Sequence, residues 1–296
     1  MKTEPEFDSL VPPQTFNRRS FLVTSLGAGF AIATQPVMAQ TAIKTDEVGL
    51  IAGEIQVPVK DGEMVAYRAM PGGLPQPPVV LVVSEIFGAH EYIRDTCRRL
   101  AKLGYCAIAP DLFARQGDPR QIASIPEILE KITNKTPDAQ VMSDLDACVA
   151  WAAGKGADTK RLAVTGFCWG GRITWLYAEQ SKNVKAGVAW YGRLVGTASE
   201  LTPKHPLDLA AQLKAPVLGL YGGQDGGIPL TTVNEMKEAL AAAGAKGNQA
   251  AAGSQFVVFP DAPHAFHADY RPSYRKEEAA DGFARALAWF KVHGVI

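Results

Sequence analysis

The feature that most constrains the fold is an alternation of short apolar strands with helices. Residues 79–83 read Val-Val-Leu-Val-Val, a β-branched run typical of a strand that is buried on both faces. Further apolar segments of strand length follow at 105–109, 161–165, 184–190, 215–221 and 255–259. Helical patterns separate them at 90–103, 138–153, 170–180, 230–243 and 276–293. This alternation predicts an α/β fold with a mostly parallel central sheet and helices on both faces.

Weaker patterns precede this alternation at 54–70 and interrupt it at 113–137. Residues 54–59 and 64–70 alternate like paired strands around the turn Lys60-Asp61-Gly62. The polar, proline-bearing stretch 113–137 is interpreted as a loop and a helix over the ligand site. In open α/β sheets that site lies beyond the carboxyl ends of the strands.

The first 39 residues have the pattern of an export signal. Arg18 and Arg19 precede an uncharged apolar run from Phe21 to about Ile32, and Val37-Met38-Ala39 offers a cleavage site. A membrane helix is the alternative, but the run is shorter than the ~20 residues that span a bilayer. We therefore expect a twin-arginine signal at 1–39, a tether at 40–52, and one domain at 53–296. The mature protein would be periplasmic or secreted, without a stable membrane span.

The charge content limits the classes of binding partner, and the positions of the cysteines bear on whether disulfides form. The chain has 30 basic and 30 acidic residues, so nothing favours a nucleic-acid partner or an anionic membrane surface. Cys97, Cys106 and Cys148 fall in helical or strand patterns and are predicted to be buried free thiols, although an exported protein could pair them.

Residues 166–171, Gly-Phe-Cys-Trp-Gly-Gly, form a predicted sharp turn between a strand and a helix, called the elbow below. A nucleophile at such a turn needs strained dihedral angles, and small neighbours two residues away avoid a clash. Gly166 and Gly170 satisfy that need, and the helix start behind Cys168 favours a thiolate. A buried cysteine in a glycine-rich turn is the alternative reading of the elbow alone.

Two further residues follow in the order that an elbow nucleophile requires. Asp225 comes after the strand at 215–221, and His264 comes after the strand at 255–259. Both therefore lie where parallel strands present their carboxyl ends. The order nucleophile, acid, histidine indicates that Asp225 orients His264 and that His264 exchanges protons with Cys168.

Other histidines compete poorly for a role in the site. His264 and His267 are spaced like metal ligands, but no third ligand has suitable spacing, so no metal is predicted. His90 begins a helix near the site and is a candidate for its lining. His205 and His293 have the pattern of surface residues.

The loop after the strand 79–83 supplies the remaining candidates. In this arrangement the backbone N–H groups of Ile86 and Trp169 would form an oxyanion hole. Glu85 follows an apolar run at the mouth of the predicted pocket, which suggests a function, although an exposed carboxylate at a strand end is the alternative.

Five short motifs together resemble the dienelactone hydrolase (carboxymethylenebutenolidase) family of the α/β-hydrolase superfamily: 85–88, 110–115, 166–171, 222–225 and 264–266. The resemblance spans residues 53–293 and implies a single-domain α/β-hydrolase fold with a Cys168, Asp225, His264 triad. It also implies that Glu85 contacts the resting thiol and takes its proton when substrate binds. Since a nearby carboxylate opposes thiolate formation, the resting cysteine would stay neutral.

The substrate-binding residues match the family only in part. The family has an arginine four residues after the triad histidine, where this chain has Ala268; Arg271 is the substitute we consider. Arg115 occupies the other arginine position and could pair with a substrate carboxylate. The aromatic candidates for the pocket walls are Phe113, Trp169, Tyr191 and Phe266.

Two functional hypotheses follow. The first is a monomeric, cofactor-free hydrolase of a small lactone or ester, acting through an acyl-enzyme on Cys168. The second is a scaffold of the same fold that binds a small molecule or has another specialisation, because a fold does not fix a function. Thiol redox chemistry is disfavoured by the lack of a Cys-x-x-Cys motif.

Overall fold

The computed structural model describes residues 43–296, in which eight strands form one sheet. The strands are β1 (Leu50–Val59), β2 (Gly62–Pro71), β3 (Pro78–Val83), β4 (Cys106–Pro110), β5 (Asp158–Phe167), β6 (Val184–Trp190), β7 (Val217–Gly222) and β8 (Gln255–Phe259). Their order is β1-β2-β4-β3-β5-β6-β7-β8. The pairs β1–β2 and β2–β4 are antiparallel, and all other pairs are parallel. The mostly parallel sheet predicted from the apolar strands is confirmed.

Helices connect the parallel strands. They are α1 (Glu91–Lys102), α2 (Ile125–Lys131), α3 (Asp138–Gly154), α4 (Trp169–Gln180), α5 (Pro206–Leu209), α6 (Leu230–Ala245), α7 (Gln249–Gly253) and α8 (Lys276–Val292). Short 3-10 turns occupy Pro119–Gln121, Thr133–Lys135 and Ala210–Gln212. Because a parallel crossover needs a long connection, each strand from β3 onward is followed by helical structure.

The middle of the sheet is the core. All six residues of β3 are buried, as are all six of β7. Six residues at the carboxyl end of β5 are buried as well. That strand runs to Phe167, two residues past its predicted end, so it reaches the elbow directly.

The antiparallel edge begins earlier than the predicted domain boundary. β1 starts at Leu50, inside the tether expected at 40–52, because Leu50 pairs with Pro71 and the Gly72 N–H donates to the Gly49 carbonyl at 2.7 Å. Upstream, the Thr45 N–H donates to an Asp95 carboxylate oxygen at 2.5 Å. The described part of this segment is therefore held against the domain by specific hydrogen bonds.

The amino-terminal segment 1–39 lies outside the described residues, so the export signal stays a prediction. Within residues 43–296 no helix is both long and apolar enough to cross a membrane. All four cysteines are buried and none forms a disulfide within the described residues, as expected for Cys97, Cys106 and Cys148. Burial raises the pKa of the Cys97 and Cys148 thiols well above the ordinary range and that of Cys106 to about 11, which makes these three poor nucleophiles.

A buried carboxyl group makes the stability of this fold dependent on pH. Glu179 on α4 is 4% exposed, and neither of its carboxyl oxygens has a hydrogen-bond partner among the described residues. Burial raises its pKa to about 9, and the charge of Arg172 offsets this only in part. Glu179 therefore stays protonated in the folded protein at neutral pH, whereas it ionises in the unfolded chain.

We expect Glu179→Gln to stabilise the protein at pH 7 by about 3 kcal/mol, the linkage free energy between the unfolded pKa and pH 7. Between the unfolded pKa of 4.5 and the folded pKa of about 9, rising pH favours the unfolded state, which alone releases the proton. Glutamine has the shape of the protonated acid and cannot ionise, so this loss should disappear. Denaturant unfolding at pH 5, 7 and 9 measures it, with the exposed Glu238→Gln as control. An unchanged pH slope would show that Glu179 is ionised in the fold.

Candidate active site

The elbow joins β5 to α4 with Cys168 at its tip. Cys168 has φ 55° and ψ −116°, in the region that a non-glycine residue rarely adopts. Its N–H donates to the Trp190 carbonyl at 3.0 Å, which fixes the turn against the end of β6. Such strain persists only where the surroundings hold it, and it commonly marks a functional residue.

The glycines of the elbow allow backbone to approach backbone. A Cβ at Gly166 would lie 2.1 Å from the Gly170 carbonyl oxygen, and a Cβ at Gly170 would lie 2.3 Å from the Val83 carbonyl oxygen. A side chain at Gly170 would force the turn away from β3, and one at Gly166 would force β5 away from the first turn of α4. The clearance predicted for Gly166 and Gly170 is therefore present, and it brings Cys168 close to the loop that follows β3.

Asp225 and His264 meet beyond the ends of β7 and β8. The His264 Nδ1 lies 2.6 Å from Asp225 Oδ2, and both residues are at most 5% exposed. The other oxygen, Oδ1, accepts from the N–H groups of Gly227 at 3.0 Å and Ile228 at 3.1 Å. Because both oxygens are engaged, Asp225 holds the imidazole in one orientation.

His264 is electrostatically coupled to the elbow cysteine as well as to Asp225. Burial lowers the pKa of His264, but the charges of Asp225 and Cys168 and the hydrogen bond to Asp225 raise it well above the ordinary value. Asp225 is thus in contact with His264, and the charge of Cys168 acts on the same imidazole. The arrangement suits proton exchange between a thiol and an imidazole.

Two backbone N–H groups are the candidates for an oxyanion hole. Ile86 follows β3 by three residues, and Trp169 is the first residue of α4. Within the described chain neither N–H donates to another backbone carbonyl. Both remain candidates to hold a developing oxyanion, and the start of α4 adds a partial positive charge.

Glu85 is a buried carboxylate with two side-chain partners. Its Oε2 lies 3.1 Å from His90 Nε2, and its Oε1 accepts from the Tyr270 hydroxyl at 3.2 Å. Burial raises its pKa, but the hydrogen bond and charge of His90, with a contribution from Arg271, bring the pKa below the ordinary value. Glu85 is 1% exposed, so it is no solvated strand-end carboxylate.

Sequence patterns alone do not reveal these two partners of Glu85. His90 was a candidate only for the lining of the site, and its role as the Glu85 partner was missed. Tyr270 was missed altogether, since a tyrosine six residues after the histidine matches no motif. Both contacts depend on how α1 and the loop after β8 pack, which spacing along the chain does not reveal.

Of the four aromatic candidates, Tyr191 has a ring contact with His264. Tyr191, with a φ of 37°, lies edge-on to His264 with ring centroids 5.1 Å apart. Phe113 packs on Trp169 at 4.7 Å. Phe266 packs on Tyr191 at 5.2 Å and on Phe259 at 5.0 Å, fully buried. Tyr191 therefore contacts His264, whereas Phe266 packs against Tyr191 in the core.

The structure corrects the prediction for Arg115. Its guanidinium donates to Asp144 Oδ2 at 2.7 Å and Oδ1 at 3.0 Å, and also to both oxygens of Asp61. Two carboxylates thus already occupy the fork that a substrate carboxylate would need. Arg115 instead ties α3 to the turn between β1 and β2.

Arg271 lies beside Glu85 in an aromatic environment. Its guanidinium carbon is 4.7 Å from the centroid of the Phe87 ring and 4.9 Å from that of the Tyr270 ring. The side chain is 5% exposed. Arg271 therefore belongs to the group around Glu85, where Ala268 offers no charge.

The other histidines have structural partners. His205, expected at the surface, is 6% exposed. Its backbone N–H donates to the Asp208 carboxylate at 2.9 Å, and its ring Nδ1 accepts from Arg172 at 3.3 Å. His267 Nδ1 lies 2.5 Å from the Tyr92 hydroxyl, and burial lowers its pKa to about 3. Among residues 43–296 no three His, Cys, Asp or Glu side chains are grouped to hold a metal ion.

The sequence of this chain is similar to a family model and to several known proteins. The model of the dienelactone hydrolase family matches residues 64–294. A Methylorubrum extorquens protein named "Putative carboxymethylenebutenolidase" is 59% identical over 293 residues, which cover 99% of this chain and 98% of that protein. An Escherichia coli protein of the same name is 51% identical over 274 residues, covering 92% and 98%.

Solved structures of dienelactone hydrolase-type proteins are similar to this chain as well. The "Putative Dienelactone Hydrolase" of Klebsiella pneumoniae is 54% identical, with a TM-score of 0.78, over 82% of this chain and 98% of that one. A dienelactone hydrolase-like phosphotriesterase from metagenomic libraries, with 20% identity and a TM-score of 0.66, shares the fold. These likenesses span most of the described residues.

Proposed function

The chain belongs to the dienelactone hydrolase family, and on that premise we propose that it cleaves a small lactone or carboxylic ester through Cys168, Asp225 and His264. The observation that carries the proposal is the buried contact of 2.6 Å between Asp225 and His264, with the strained elbow cysteine coupled to the same imidazole. A histidine oriented by a carboxylate on one side and facing a thiol on the other can activate that thiol.

In the proposed reaction, His264 takes the proton of Cys168 and the thiolate attacks the substrate carbonyl. The N–H groups of Ile86 and Trp169 hold the resulting oxyanion. The intermediate collapses to a thioester, and the leaving oxygen takes the proton from His264. Water, deprotonated by His264, then attacks the thioester, which releases the carboxylic acid and restores the thiol.

The test is hydrolysis of p-nitrophenyl acetate and of dienelactone by the purified protein, with the early reaction quenched and digested for mass spectrometry. We expect an acetyl group on the peptide that contains Cys168. Acetylation elsewhere, or none during turnover, would rule out this acyl-enzyme. Inactivity on a broad ester and lactone panel would instead favour the alternative, a scaffold that binds a small molecule.

We further propose that Glu85 modulates the thiol. Its negative charge is buried near the elbow. Burial is the largest cause of the raised pKa of Tyr191, and the charges of Glu85 and Cys168 both raise that pKa further. Two anions close to one phenol also oppose each other, so an ionised Glu85 disfavours the thiolate. His90 and Tyr270 keep the carboxylate in place. Export of the chain and action as a monomer are proposed on the sequence alone.

Glu85→Gln is therefore expected to lower the pKa of the Cys168 thiol by about 1 unit and to speed alkylation at neutral pH. Iodoacetamide labelling of the Cys168 peptide, followed by mass spectrometry from pH 5 to 10, measures this shift. Glu63→Gln, at an exposed residue of β2, is the control and should leave the midpoint unchanged. Equal midpoints for Glu85→Gln and the unmodified protein would exclude an electrostatic role.

A further inference from the structure

The described residues include a second buried carboxylate–imidazole pair in the candidate active site, besides Asp225 and His264. It consists of Glu85 and His90, whose Oε2 and Nε2 atoms lie 3.1 Å apart. Glu85 follows β3 and His90 directly precedes α1, so a short loop connects the two side chains. The proposed reaction gives His90 no task of its own, although it contacts the carboxylate that we assign to the control of the thiol.

Three aromatic rings pack around the imidazole of His90. The centroid of the Tyr270 ring lies 5.0 Å from that of His90, and the Tyr92 and Phe87 centroids lie at 5.9 and 6.2 Å. His90 is 9% exposed and Glu85 is 1% exposed, so water screens the interaction between them only weakly. The packing therefore holds the imidazole against the carboxylate in an environment where charges interact strongly.

The other titratable or charged groups around this pair come from α1, the residue after β6 and the loop after β8: Tyr92, Arg94, Tyr191, Tyr270 and Arg271. Burial is the largest cause that raises the pKa of each phenol, so all three are neutral at neutral pH. The Arg94 guanidinium is paired with Glu54 at 2.6 Å. The charge of Arg271 acts on Glu85 less than His90 does. His90 is therefore the main group that favours the charged form of Glu85.

The charge of Glu85 depends on a balance between burial and His90. Burial is the largest cause and raises the pKa of Glu85, whereas the hydrogen bond and the charge of His90 bring that pKa below its ordinary value. Without His90, burial would dominate, and a buried carboxyl group in that situation keeps its proton at neutral pH. The Tyr270 hydroxyl, a neutral donor at 3.2 Å, does not replace the lost charge.

The carboxylate, more than the imidazole, acts on the elbow. Burial is the largest cause of the raised pKa of Tyr191, the charge of Glu85 comes next, and the charge of Cys168 also contributes. His90 is not among the main causes. A negative charge on Glu85 therefore opposes a thiolate at Cys168 more than a positive charge on His90 supports it.

We propose that His90 is a positioning residue for the hydrolase reaction, which holds Glu85 in its charged form and thereby keeps Cys168 a neutral thiol in the resting protein. The inference rests on the proposed function and adds the group that controls the modulating carboxylate. A proton on Glu85 would cancel its negative charge, and the thiol would then ionise at lower pH. His90 thus acts on Cys168 through Glu85.

The first test is iodoacetamide labelling of the Cys168 peptide from pH 5 to 10. We expect His90→Leu to lower the midpoint by about 1 unit, the shift expected for Glu85→Gln. His90→Gln keeps an amide donor for Glu85 but no charge, so it should lower the midpoint less. In the Glu85→Gln protein, His90→Leu should add no further shift, because the carboxylate through which it acts is gone.

The sign of the shift separates this role from a direct one. If the charge of His90 acted on the thiol itself, its removal would take away a cation and raise the midpoint. An upward shift, no shift, or an equal shift with and without Glu85 would each overturn the proposal. His293→Gln is the control and should leave the midpoint unchanged, since this histidine follows α8 and its Nδ1 lies 2.8 Å from the Trp289 carbonyl.

A second measurement observes Glu85 itself. The infrared difference spectrum between His90→Leu and the unmodified protein at pH 7 should contain the carbonyl band of a protonated carboxyl group. The band should be missing when both proteins carry Glu85→Gln. Its absence from a folded His90→Leu protein would refute the control of Glu85 by His90.

Neither measurement uses turnover, so the two proposals can fail separately. A downward midpoint shift and the carboxyl band in a protein that hydrolyses no ester would retain the role of His90 and refute the proposed function. Hydrolysis through an acyl-enzyme on Cys168, with equal midpoints in the unmodified and His90→Leu proteins, would retain the function and refute the role of His90.

Discussion

Replacing Cys168 with alanine is expected to lower kcat/KM for p-nitrophenyl acetate by about 10⁴-fold or more. Alanine removes the sulfur that forms the thioester, while the oxyanion donors and His264 stay in place. The residual rate should come from water attack within the pocket. Initial rates on the purified variant, with circular dichroism to confirm folding, measure this loss.

Cys148→Ala is the matched control, because it removes another buried thiol of the same size. Burial raises the pKa of the Cys148 thiol, and this residue lies on α3 and not in the elbow. This variant should lose stability through the cavity that it leaves, yet retain its activity per folded molecule. If Cys168→Ala kept the activity that Cys148→Ala keeps, the nucleophile assignment would be wrong.

The parts of the fold that the sequence revealed are those with local causes. The β-branched run at 79–83 is a buried strand because no other structure accommodates it as well. The elbow is recognisable in the sequence because a sharp turn between a strand and a helix leaves no room for side chains two residues from its tip. The short distances from a Cβ at Gly166 or Gly170 to neighbouring backbone atoms agree with this requirement. The order of Asp225 and His264 follows from parallel strands that end at one edge.

The parts that the sequence did not reveal depend on long-range packing. Arg115 occupies an arginine position of the family, but its guanidinium pairs with Asp61 and Asp144. Both aspartates are distant from Arg115 along the chain, so the sequence does not reveal these ion pairs. His205 was expected at the surface because its polar surroundings in sequence say nothing of Arg172, which contacts it.

Asp225→Asn should lower kcat for p-nitrophenyl acetate by about 10²- to 10⁴-fold with little change in overall stability. The N–H groups of Gly227 and Ile228 donate to Oδ1 of this side chain, so the asparagine oxygen should take that place. Its amide nitrogen would then face His264 Nδ1 as a donor. The imidazole would carry its proton on Nε2, the tautomer that cannot accept the thiol proton.

The same substitution should move the pH midpoint of Cys168 alkylation upward. Asp225 raises the pKa of His264, so its loss lowers that pKa and removes the imidazolium that stabilises the thiolate. Iodoacetamide rates from pH 5 to 10 read this out separately from turnover. Asp261→Asn, an exposed aspartate just after β8, should leave both the rate and the midpoint in place. An unshifted midpoint with a lost rate would mean that Asp225 positions His264 without setting its charge, since only a change in charge moves the titration of the thiol.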